Sequence, residues 1–233
     1  MTKIDREALE LAKLAFEADR TKAEARKTEA EALDMEHSAA LKALQLAKAQ
    51  REEDLLAVSD DSNFTYTFDQ GVDEESVGAL LETVTRWHRT DPESDWTVYI
   101  NSPGGYVNSG FHLFDQLRMY SRRGGGDHYL TMAVRGMAAS MAGILLQVAD
   151  ERLMGPHSTL HMHQIGGGAY GQIEEIKDAV ARMELLEAMA VDAYVERSDG
   201  RISRKKFEKL WHRKDVWLAS ARALSYGFID GVG

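Results

Sequence analysis

From residue 64 onward, short strand-like runs alternate with helix-length segments, and that rhythm restricts the chain to few folds. Phe64-Thr-Tyr-Thr-Phe68 alternates aromatic residues with threonine, and Trp96-Thr-Val-Tyr-Ile100 and Tyr129-Leu-Thr-Met-Ala-Val134 are rich in apolar and β-branched residues. A further strand is expected near Arg152. Between these runs lie a helix from Gly71–Glu75 to about Arg89, another from Gly105 to about Tyr120, and a third starting at Ser140. Pro92 and Pro103, two of the three prolines, fall in the intervening loops, where a missing N–H does no harm. Strand and helix alternating at this pace imply βαβ units and a largely parallel sheet, an α/β fold.

The first 57 residues have a different character. They contain no Gly or Pro and a single aromatic, Phe16, and consist mostly of Ala, Glu, Lys, Arg and Leu. That composition favours helix throughout. Acid-before-base pairs recur at i,i+3 (Glu10 with Lys13, Glu17 with Arg20, Asp19 with Lys22, Glu24 with Lys27), each adding a few tenths of a kcal/mol. The apolar seam starts at Ile4, Leu11, Leu14 and Phe16, thins to alanine, and resumes at Leu33, Leu41, Leu44, Leu46, Leu55 and Leu56. Such a middle is too thin for a continuous coiled coil. A long, partly exposed helical arm over 1–58 is expected, with Ser59-Asp-Asp-Ser-Asn63 as the turn before a second domain over 59–233.

Composition excludes several classes of function. Zero cysteines rule out disulfides, thiolate chemistry and Cys-based metal sites. A net charge of −10 argues against nonspecific nucleic-acid binding. No run approaches the roughly 18 apolar residues of a membrane helix, and Met-Thr-Lys-Ile-Asp-Arg-Glu lacks an apolar h-region. A cytoplasmic protein with no membrane and no nucleic-acid partner is the expectation.

The chemistry concentrates downstream of residue 100. Ser140 sits among small residues in Gly136-Met-Ala-Ala-Ser140-Met-Ala-Gly, between a strand-like and a helix-like run, where a hydroxyl can be held exposed at a sharp turn. A neutral serine needs an adjacent base, and His163 in Leu160-His-Met-His163-Gln is the candidate. Asp215 in Lys214-Asp215-Val-Trp would orient the imidazole, with Asp230 as a second nearby carboxylate. The order Ser, His, Asp differs from that of α/β-hydrolases, chymotrypsin and subtilisin. Gly104 and Gly105 permit tight backbone approach of an extended peptide; no P-loop lysine accompanies them. His161 and His163 are two apart in a strand and face the same way, but no acid or cysteine at ligand spacing joins them, so no metal and no cofactor is expected. His161 reads as a polar neighbour or a replacement for an apolar residue.

Four ordered blocks, covering roughly residues 60 to 231, resemble the ClpP family of self-compartmentalising serine proteases. Tyr99-Ile-Asn-Ser-Pro-Gly-Gly105 resembles YINSPGG; Gly136-Met-Ala-Ala-Ser140-Met resembles GQAASM; Met162-His163-Gln164 with Gly167-Gly168 resembles IHQPLGG; and Asp215 with Tyr226-Gly227-Phe-Ile-Asp230 resembles the RD and YGLID block. The resemblance implies a ClpP/crotonase-like fold of repeated βαβ units. It also implies a Ser140-His163-Asp215 triad and oxyanion binding by the amides of Gly105 and Met141, beside Gly104. The amphipathic stretch from about Gln172 to Arg197 would be a protruding handle helix, and Ser203 would cap a helix from Arg204 to His212. Endopeptidase activity on protein or peptide substrates would follow, inside a homo-oligomeric ring or two stacked rings. Relatives with extra terminal segments occur among bacteriophage head-maturation proteases, which makes such a role a specific expectation. The arm stands where the family has short axial loops that help engage an AAA+ unfoldase, so that partner is not carried over. A catalytically silent ring or adaptor acting through the arm is the alternative, and a crotonase-like enolate-stabilising role a more distant one.

Overall fold

The computed structural model describes residues 13, 17, 20–22, 24, 27, 35–49 and 63–233. The chain divides into two units after Val58, each described by itself. In the first, every described residue is helical, and 35–49 form helix α1. Arg20 pairs with Glu24 at 2.9 Å, one turn further on rather than with Glu17 behind it. Met35, Leu41, Leu44 and Leu46 are exposed along α1. The remaining seam positions and the expected turn at 59–62 lie outside the described residues.

The second unit is the expected α/β fold. Strands β1 (Thr65–Phe68), β2 (Trp96–Ser102), β3 (Leu130–Ala139), β4 (Glu151–Met154) and β7 (Gly231–Val232) run in that spatial order as a parallel sheet. Helices α2 (Glu74–Thr90) and α3 (Val107–Tyr120) are the crossovers between the first three. Asp73 starts α2 by accepting from the Ser76 amide, and the Ser76 hydroxyl accepts from the Asp73 amide in return. Leu80, Val84 and Trp87 of α2 and Leu113 and Leu117 of α3 are buried with Val98, Ile100, Met132 and Val134 of the sheet. Each such side chain contributes about 1.5–3 kcal/mol by leaving water.

Strand β3 is longer than the sequence pattern suggests, because it serves two partners. Thr131–Val134 pair with β4, while Met137–Ala139 pair with β5 (Thr159–Met162). The fork falls at Gly136, whose φ of 115° suits glycine and where a Cβ would press on the Asn101 side chain. Ser158 fills the gap, its hydroxyl accepting from the Gly136 amide and donating to the Val134 carbonyl. Strand β6 (Val216–Ala219) then adds antiparallel to β5. The fork carries β3 out to the end where Ser140 stands and brings β5 and β6 beside it.

Helix α5 (Ile173–Arg197) is the expected long helix, but only its last third is buried, through Ala190, Val191, Ala193 and Tyr194. Ile173 and Leu185 on the earlier turns are exposed. Ser203 caps α6 (Arg204–Trp211) through the Lys206 amide, and α7 (Ser220–Tyr226) follows β6. Asp230 lies away from Ser140's base. It receives hydrogen bonds from the buried Arg152 and faces Arg197 at 3.6 Å. Burial alone would raise its pKa, but the Arg152 hydrogen bonds and charge outweigh that and hold the carboxyl below the ordinary range. No helix among the described residues is long and apolar enough to cross a membrane.

Candidate active site

Ser140 links β3 to the short helix α4 (Met141–Leu145) with φ 54° and ψ −123°, a conformation rare for any residue with a side chain. Strain of this kind costs about 1–3 kcal/mol and persists only where the surroundings enforce it. Here they do. The Ser140 amide donates to the His161 carbonyl at 2.9 Å, tying the turn to β5, and its carbonyl accepts from Gly143. On the other side, Gly104 (φ 86°) presses so close that a Cβ would lie 2.4 Å from the Ala139 carbonyl and 2.7 Å from the Ser140 Cβ. Ser102 holds this loop by accepting from the Gly104 amide and donating to the Gln70 carbonyl. The Gly104 carbonyl in turn accepts from the Val72 amide at 2.9 Å. Small residues in both motifs are therefore a packing requirement.

The Ser140 hydroxyl lies 2.8 Å from His163 Nε2. The other ring nitrogen, Nδ1, is 2.7 Å from the Gln164 carbonyl. A carbonyl only accepts, so Nδ1 carries the proton and Nε2 of the neutral ring is left as the acceptor for the serine O–H. That is the tautomer a general base needs.

Asp215 is not brought to His163. Its Oδ1 lies 3.2 Å from Nε2 of His161, and the carboxylate is 74% exposed. His161 is itself sandwiched, stacked on Trp217 at 4.1 Å between ring centroids and facing His163 at 5.3 Å. From sequence His161 reads only as a polar neighbour or a replacement for an apolar residue, and its contact with Asp215 is not foreseen, since a histidine two residues from a better candidate carries no motif of its own. Gln164 was also missed as a positioning group. Its side-chain amide donates to Glu187 of α5 at 2.6 Å, and its side-chain oxygen accepts from the Arg213 amide at 2.8 Å. This clamp ties the end of β5 to the turn that precedes Asp215, where Arg213 has φ 55°.

Met141 begins α4, so its amide is one of those without an intrahelical partner. Gly105 lines the same cavity of about 120 Å³ as Ser140, Met141 and His163, closed by Ile144 and Tyr194. The Tyr194 hydroxyl is fully buried, with no hydrogen-bond partner among the described residues, and burial pushes its pKa up. A wider cleft of about 720 Å³ continues from it, sharing Val107, Ile165 and Gly166, and runs along Gly167 and Gly168 to Met183 and Leu186 of α5. Among the described residues no cluster of three or more His, Asp or Glu is arranged to hold a metal.

The family model described as Clp protease matches residues 61–233. The chain belongs to the Clp protease family. It is 32% identical over 169 residues to ATP-dependent Clp protease proteolytic subunit 1 of Chlamydia trachomatis serovar D, covering 71% of this chain and 83% of the relative. It is 33% identical over 165 residues to the ATP-dependent Clp protease proteolytic subunit of Bacteroides thetaiotaomicron, covering 69% and 70%. As a member of the Clp protease family it is a serine-type peptidase.

Proposed function

We propose that this chain is a serine endopeptidase whose nucleophile is Ser140, with His163 as general base, Asp215 as the carboxylate serving that base, and the amides of Gly105 and Met141 as oxyanion donors beside Gly104. The observation that carries the reading is the 2.8 Å contact from Ser140 Oγ to His163 Nε2, with the tautomer fixed by the Gln164 carbonyl. As Oγ attacks the scissile carbonyl carbon, its proton passes to Nε2, and the carbonyl π electrons move onto oxygen. The two amides stabilise that oxyanion, an effect worth about a hundred- to a thousandfold per donor in comparable sites. Collapse breaks the C–N bond, and the Nε2 proton goes to the departing amine. Water then repeats the sequence on the acyl-enzyme.

The assembly we propose is a homo-oligomeric ring, singly or as two stacked rings, with the arm over 1–58 and the protease domain over 59–233. Exposed Ile173, Val180 and Leu185 along the outer turns of α5 support a handle that docks on another subunit. The arm precedes the family match, and scaffold- or capsid-type substrates cleaved without an ATPase are the specific setting we propose for it. One observation favours the second reading, a silent ring acting through the arm: the Asp215 carboxylate rests on His161.

Fluorophosphonate labelling of the purified protein, mapped by peptide mass spectrometry, separates the two. Label on Ser140, lost in Ser140→Ala, is the expected result; a folded oligomer that takes no label would establish the silent reading.

A further inference from the structure

The β5–β6 ladder pairs Leu160 with Leu218, His161 with Trp217 and Met162 with Val216. One step further in that register sets His163 opposite Asp215. Directly paired residues of antiparallel strands put their side chains on the same face, and so do residues two apart along each strand. His161, His163, Trp217 and Asp215 therefore form a two-by-two square on one face of the β5–β6 pair. One direct pair is made as the register dictates, the stack of His161 on Trp217 at an interplanar angle of 17°. The other is not. Asp215 takes the diagonal partner, His161, while Nδ1 of His163 is occupied by the Gln164 carbonyl.

We infer that His161 is a positioning residue that holds Asp215 off His163, so that the peptidase rests with a nucleophile–base pair but without its carboxylate. The inference rests on the proposed roles of Ser140 and His163. The carboxylate is free to make the exchange: it is largely in water, and the backbone register already sets its residue opposite His163. His161 is the less mobile partner, its side chain only 14% exposed and held between two rings. A rotation of the Asp215 side chain moves the carboxylate from Nε2 of His161 to Nδ1 of His163 without breaking the ladder. It then replaces a neutral carbonyl with an anion beside the imidazole that must become positive in the transition state. Stabilising that cation raises the chemical rate and leaves peptide binding in the cleft unchanged, since neither group lines it.

The test is His161→Phe, which keeps a ring on Trp217 but removes the donor, compared with His161→Gln, whose amide N–H can still hold Asp215. His161→Phe should label with fluorophosphonate about tenfold faster than the unmodified protein, and raise kcat on a peptide substrate with KM unchanged. Adding Asp215→Asn should abolish the gain, and His161→Gln should label at the original rate. Equal rates for His161→Phe and the unmodified protein, or a gain that survives Asp215→Asn, would overturn the inference. If no variant labels, the peptidase reading fails, and crystal structures of the unmodified protein and of His161→Phe still decide this one. Asp215 on His161 in the former and on His163 Nδ1 in the latter supports it; the same Asp215 position in both refutes it.

Discussion

The two halves of the proposed catalytic apparatus are built differently. The Ser140 turn is packed around its backbone, with Gly104 against it, β5 hydrogen-bonded to its amide and buried Met141 and Ala142 following it, while its hydroxyl opens toward the cavity it lines. The Asp215 turn lies on the edge strand β6, with Lys214 and Asp215 exposed and Trp217 more than half in water. Enclosure lets the first half bear backbone strain and hold a hydrogen bond in place. The second has no such packing around its carboxylate, which rests on His161 with most of its surface in water. Nucleophile and base are thus fixed by the fold, while the third member depends on one exposed rotamer.

Breaking the enclosed half should have the largest effect. Ser140→Ala or His163→Ala should lower peptidase activity by a factor on the order of a million, with circular dichroism unchanged. Loss of less than about a hundredfold would place the nucleophile elsewhere. Gly104→Ala should come next, costing about a hundredfold in labelling rate, because its Cβ would push the Ser140 turn off the oxyanion position. Wild-type labelling in that variant would mean that the loop yields more than its contacts imply.

Arg152→Ala probes enclosure without touching the chemistry. It takes the guanidinium from Asp230 and from the Gln147 side-chain oxygen, and should cost about 3 kcal/mol in denaturant unfolding, the lower end for a broken buried pair because Asp230 keeps the residue-152 amide, Arg197 at 3.6 Å and about a third of its side chain in water. A gentler probe is pH. Burial pushes the pKa of His128 down, only partly offset by its hydrogen bond to the Ser94 carbonyl, and His88 beside it adds to the lowering. Its folded pKa is therefore below its unfolded one. The neutral ring's contribution is complete above about pH 6.5 and is lost as pH falls through the depressed folded value. Melting temperature should fall on acidification in that window. His128→Phe, which keeps a ring on Trp96, should flatten the slope; an unchanged slope would assign it to other groups.

Much of this was legible in the sequence because it is local or periodic. Strand–helix alternation gave the parallel sheet, Ser203 announced a cap, and the small residues around Ser140 and Gly104 marked tight turns, although their packing against each other was not read from them. The doubled role of β3 was not legible: one strand changing partners at Gly136 depends on where β4 and β5 lie. Nor was the Asp215 contact. A motif supplies residue types at a spacing, but the choice between two imidazoles of one face is made by side-chain rotation, which leaves no trace in sequence. The Gln164 clamp was hidden for a related reason, since its partners, Glu187 and Arg213, lie 23 and 49 residues away.

The most direct test compares the rates at which fluorophosphonate labels Ser140 in the unmodified protein, His163→Ala and Asp215→Asn. With the base fixed by the fold and the carboxylate parked on His161, His163→Ala should abolish labelling and Asp215→Asn should slow it by less than about tenfold. Asp215→Asn as inert as His163→Ala would mean that the carboxylate already serves His163 at rest, and would contradict the division between an enclosed pair and a detached third member.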